Sequence, residues 1–128
     1  MYEPIRTRSV HTVTQDAQYP HRSREEELDI QLAGHLSALL AVTDDLALTE
    51  AAESIASQIA RLRGAPPARR TAGGGRDPEA LHRRAHALAG RALVVAASRA
   101  DTAVAILAAE RMDAHTAALD ALRLVGAP

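Results

Sequence analysis

Leu28, Leu32, His35, Leu39, Val42 and Leu46 follow one another at alternating steps of four and three. That seam has a period of 3.5 residues and belongs on one side of a helix. Ser23 stands just before it as a helix cap, and Glu25, Glu26 and Glu27 lie where the positive end of a helix dipole favours carboxylates. A second seam, Leu48, Ala52, Ile55, Ile59 and Leu62, is offset from the first by two residues across Thr43, Asp44 and Asp45. The offset predicts a break there, with Thr49 capping the second helix.

Residues 64–76 hold two prolines and four glycines within 13 positions, a composition that interrupts a helix and suits a mobile linker. Asp77, Pro78 and Glu79 then provide a cap, a first-turn proline and a first-turn carboxylate. From Pro78 to Leu124 the only strong breaker is Gly90. Leu81, Leu88 and Val95 share one helical face, whereas Val104, Met112, Leu119 and Leu122 cluster on nearly the opposite one. Two solutions fit. The chain turns at Ser98, Arg99, Ala100 and Asp101, which match a capping box, or one helix presents two apolar faces to different neighbours. For the unbroken helix a continuous seam runs His82, His86, Ala89, Leu93, Ala96, Ala100, Val104, Leu107, Arg111, His115, Ala118 and Leu122. The scarcity of breakers favours one helix over about 78–124, roughly 70 Å long.

Residues 1–22 carry Pro4, Pro20 and scattered Arg without a sustained apolar period, and read as a flexible arm with at most a short strand at 12–14. Residues 23–128 then form a single helical domain that contains the Pro/Gly/Arg-rich linker. The expected fold is all-α: an antiparallel helical hairpin, four-helix-bundle-like, with a long C-terminal helix.

Composition sharpens this picture. The chain of 128 residues has 29 Ala and 15 Leu, the strongest helix formers, and no Phe or Trp. Near-absence of aromatics weighs against modules that stack bases on rings. The lack of Cys excludes disulfides and thiolate metal sites. No apolar run is long enough to span a bilayer, and the first residues do not resemble a secretory signal, so a cytoplasmic location is expected. The net charge of −1 hides segregation: residues 25–60 hold eight acidic side chains and no Arg, whereas 61–91 hold eight Arg against Asp77 and Glu79.

Three groups of residues bear on chemistry. Glu79 and His82 form an E-x-x-H sequence, with His86 one turn further on, and all three project within one sector of a helix. Paired motifs of this kind hold divalent transition metals in carboxylate bundles, and here a homodimer would have to supply the second copy. The competing reading is a solvated first turn beside Arg83 and Arg84. His35 and His115 occupy seam positions, which makes them buried polar candidates, either as satisfied core histidines or as a pH switch. The Arg-rich stretch suits phosphate neutralisation, but the neighbouring acidic block competes for the same side chains. No nucleophile elbow or metalloprotease helix occurs.

The leading expectation is a non-enzymatic helical protein acting through self-association, as a homodimer completing a four-helix bundle, or through binding a partner helix. Metal binding through Glu79, His82 and His86 stands second, and Arg-mediated nucleic-acid binding third.

Overall fold

At Ser23 a capping box opens the first helix. The Ser23 hydroxyl accepts from the backbone of Glu26 at 3.1 Å, and the Glu26 carboxylate accepts from the backbone of Ser23 at 2.8 Å. The computed structural model of the protein describes residues 23–71 and 77–126. The arm at 1–22, the triple glycine at 73–75 and Arg76 lie outside the described residues. Within them are four helices: α1 (Arg24–Asp45), α2 (Thr49–Arg63), α3 (Pro78–Ser98) and α4 (Thr102–Gly126).

The fold is an all-α bundle, and its longest helix is the C-terminal one. The stretch 78–124 is not one helix, however. It breaks at 99–101, the alternative marked by Ser98 and Asp101. The roles of those two residues differ from a capping box. Ser98 closes α3 with its hydroxyl donating to Val94 O, and Asp101 alone caps α4, accepting from the Val104 backbone at 3.2 Å.

Both hairpins turn in the same way. In the first, the N–H of Leu48 returns to Thr43 O (3.2 Å) and that of Ala47 to Asp44 O (2.9 Å). In the second, Asp101 returns to Ala96 O (2.8 Å) and Ala100 to Ala97 O (3.1 Å). These are Schellman closures, which require a left-handed residue just past the helix. Here alanine takes that position twice, Ala47 at φ 59° and Ala100 at φ 57°. A side chain at such a φ costs roughly 1–2 kcal/mol, so the helices' packing must hold it. Glycine, the usual signal, is missing at both turns. Thr49 is the first helical residue of α2 and not its cap; Leu48 precedes it without any side-chain hydrogen bond.

Two ion pairs define the topology. Asp29, near the start of α1, meets Arg99 at the end of α3 (2.7 Å), and Arg61, near the end of α2, meets Asp101 at the start of α4 (2.8 Å). Hence α1 and α4 run one way and α2 and α3 the other, with every neighbouring pair antiparallel. α3 packs on α1 and, most extensively, on α4; α2 packs on α1 and touches α4 more sparsely. The end of α2 and the start of α3, which the 64–77 connection joins, therefore lie across a bundle diagonal and at opposite ends of the bundle.

Leu32, Leu36, Leu39 and Leu40 of α1 supply the bulk of the core. Opposite them α3 contributes Ala85, Ala89, Ala92 and Ala96, a stripe of small side chains that lets its backbone approach closely. Ile55 and Ile59 close one side, Val104 and Ala108 another. Burial of such aliphatic side chains yields about 1.5–3 kcal/mol each for the larger ones. The turn places the Leu88 face on α3 and the Val104 face on a separate helix, α4, and both Leu88 and Val104 are buried within one chain. The two-faced helix that called for a second copy is thus resolved internally.

As far as Thr71 the crossover is docked, where a mobile linker was expected over 64–76. Arg69 donates to both oxygens of Asp44 (3.0 and 2.8 Å) and reaches Glu53 at 3.3 Å. The backbone N–H of Arg70 donates to Asp44 at 3.0 Å, and its side chain lies 3.5 Å from Asp45. Two aspartates at the end of α1, where the helix dipole is negative and no basic residue follows in that turn, need cations from elsewhere.

Candidate functional site

His115 is wholly buried on α4 and touches α3 through His82: their Nδ1 atoms are 2.9 Å apart and the rings tilt by 51°. On the other side, Nη2 of Arg111 lies 3.4 Å from Nε2 of His115, one helical turn away. Arg111 has only donors, so Nε2 of His115 accepts and its hydrogen sits on Nδ1. That Nδ1–H donates to Nδ1 of His82, which places the hydrogen of His82 on Nε2. The partners thus assign a single tautomer to each ring.

The electrostatics agree with neutral imidazoles. Burial, followed by the charge of Arg111 and the proximity of His82 and His86, pushes His115 down to about 4. Burial and Arg111 also lower His82. Arg111 itself is lowered by burial, with Glu110 opposing, and its Nε is enclosed without a hydrogen-bond partner. No carboxylate among the described residues hydrogen-bonds to this cluster. Above pH 7 the two neutral rings hydrogen-bond to each other and His115 to the guanidinium, and an added proton would meet the charge of Arg111.

Three of the residues singled out in the sequence diverge. Glu79 pairs with Arg83 one turn along α3, both exposed. His82 turns to His115. His86 faces an open groove of about 220 Å³ with Arg83, Thr116, Leu119, Asp120 and Arg123. The E-x-x-H set is therefore not brought together, and among the described residues no three His, Asp or Glu side chains gather to hold a metal ion. His35 is half-buried on α1 and makes no hydrogen bond or ion pair with the described residues.

Four of the eight arginines of the Arg-rich stretch are engaged with this chain's own carboxylates: Arg61 with Asp101, Arg69 with Asp44 and Glu53, Arg70 with Asp45, and Arg83 with Glu79. Asp44 is held below the usual carboxylate range chiefly by the hydrogen bond from Arg69, against burial. For Asp101 burial opposes ionisation, but the hydrogen bonds from Arg61 and the Val104 backbone and the charges of Arg61 and Arg99 outweigh it. Beneath the crossover runs a groove of about 500 Å³ lined by Ser37, Ala41, Ile59, Arg63, Pro66 and Pro67, among others.

Arg111 and the Asp44–Arg69 clip escaped sequence reasoning as functional elements. The seam position of Arg111, beside His115, was the signal for the first. The paired aspartates ending α1 were the signal for the second. No family model matches the chain, and neither a curated protein nor a solved structure matches it. Among the described residues no helix is long and apolar enough to cross a membrane.

Proposed function

We propose that this is a non-enzymatic helical protein that acts through association, above all with copies of itself. One observation carries the reading. Among the described residues, five of the six large exposed hydrophobic side chains lie on the α3–α4 hairpin: Val94 (66% exposed), Ile106, Leu122, Leu124 and Val125. Val94 and Ile106 stand level with each other on either side of the Ala100 turn, six residues from it in each direction. Only Ile30 is comparable on the other hairpin. Uncovered aliphatics gathered on one hairpin favour a partner surface. Asp44, Asp101 and the His82–His115 pair, by contrast, are engaged with other side chains of this chain.

Sedimentation of the chain from about 1 to about 100 micromolar tests this, a range that detects associations of −5 to −8 kcal/mol. Mass should rise with concentration, and a Val94→Glu, Ile106→Glu double variant should stay monomeric with its helix content unchanged. A wild-type chain that remains strictly monomeric throughout would overturn the self-association reading.

A further inference from the structure

We propose that the α3–α4 hairpin opens at Ala100 into one continuous helix and exchanges α4 with a second copy of this chain, forming a domain-swapped dimer. The inference rests on the self-association reading above and names its route.

Ala100 is held at φ 57°, a left-handed conformation that its side chain disfavours and that disappears when the turn straightens. Alanine is also the best helix former, and between Gly90 and Gly126 no glycine or proline interrupts the chain. Short hinges under strain are where exchange of identical elements begins.

The helical phase supports the straightened form. Residues that touch across the hairpin must lie on nearly one side of the opened helix for a second copy to restore the contacts. At 100° per residue, His82 and His115 come within about 60° of each other, and Gly90 and Met112, which meet across the hairpin, within about 40°. These positions lie along or beside the continuous seam from His82 to Leu122. Two opened helices laid antiparallel, centred on their Ala100 residues, would place α3 of one copy on α4 of the other in the sense seen within the monomer. The His82–His115 contact then reforms between copies.

The other turn provides a contrast. Ala47 carries the same strain at φ 59°, but the seams of α1 and α2 are offset by two residues, so an opened helix would hold them on nearly opposite sides. Only the second hinge has a seam waiting for it. α4 packs extensively on α3 and only sparsely on α2, so nearly all the packing it gives up on release is packing that α3 of a second copy restores. What holds the hairpin closed is local to the turn: the Asp101 cap on α4 and the pairs Arg61–Asp101 and Arg99–Asp29.

The chain has no cysteine, so a Gly90→Cys, Met112→Cys variant carries one reactive pair at a point of interhelical contact. A short bis-maleimide joins that pair within one chain in the closed hairpin and between two chains in the exchanged dimer. The dimer fraction from size exclusion should give covalent dimers on a denaturing gel, and the monomer fraction none. On the otherwise native chain, Ala100→Gly relieves the turn and weakens the straight helix at both hinges of the dimer, so the association constant should fall roughly a thousandfold. Ala100→Val should raise it, because a β-branched residue tolerates a helix better than a positive φ. A dimer cross-linked only within chains would overturn the exchange and leave self-association standing. Equal dimer fractions for Ala100→Gly and Ala100→Val would do the same. No dimer from the wild type or Ala100→Val at about 100 micromolar would overturn both readings.

Discussion

Arg69 grips both carboxylate oxygens of Asp44, 25 residues earlier in the chain, and so fastens the middle of the diagonal crossover to the end of α1. The fork is a charge-assisted bidentate pair, and the adjacent N–H of Arg70 adds a third donor to the same carboxylate. The aspartate is nearly buried, which fixes its geometry, while the guanidinium remains partly open to solvent.

Trypsin should therefore cut slowly after Arg70, although the site lies in a proline-flanked connection. An Asp44→Ala chain should lose the fork and be cleaved there faster by about tenfold, since proteolysis follows local opening. Peptide mapping of timed digests measures it. Equal rates in both chains would mean that the Pro66–Pro67 segment, not the ion pair, protects the site.

Acid should weaken the fold in two stages. His115 titrates at about 4 in the native state against 6.5 in an unfolded chain, so the unfolded state binds more protons between those values. Its contribution is complete above pH 6.5 and declines as pH falls towards 4, by on the order of 3 kcal/mol. Asp44 and Asp101, both held below the ordinary 3.8, add a further loss at lower pH. Urea unfolding at intervals from pH 8 to about 4 should show the first decline, and His115→Gln should flatten it.

Glycine at the first turn should stabilise the protein. Ala47→Gly relieves a cost of roughly 1–2 kcal/mol at positive φ and loses part of it to unfolded-chain entropy, for a net gain of about 0.5–1 kcal/mol. Thermal unfolding should shift upward by a few degrees. A lower melting temperature would show that the methyl group of Ala47 contributes packing that outweighs its strain.

The leucines of α1 should dominate stability. Leu36 is fully buried, and Leu36→Ala should cost about 2–5 kcal/mol. Leu124, 78% exposed, should tolerate the same change within about 0.5 kcal/mol. Denaturant midpoints of the two variants provide the comparison.

Signals that act within one or two helical turns are legible in the amino-acid sequence alone. The Ser23 cap needs only Glu26 three residues on, and Asp77 with Pro78 starts α3 by the same local chemistry. The offset between the Leu28 and Leu48 seams requires a turn because a helix cannot present both to one neighbour. The break at Ala100 is not decided locally: nothing in Arg99, Ala100 and Asp101 forbids a helix, and the opposed faces of Leu88 and Val104 admit either answer.

What the sequence determined by itself is thus helical identity and amphipathic phase, since 3.6-residue periodicity, alanine content and capping oxygens are properties of neighbouring residues. Tertiary structure decided which partners those faces meet. Arg69 finds Asp44 across 25 positions, His115 finds His82 across 33, and Arg61 finds Asp101 across 40. Those distances close only when the leucines of α1 pack against the alanine stripe of α3. That burial holds Ala47 and Ala100 in left-handed turns, and it draws Glu79 and His82 to different partners.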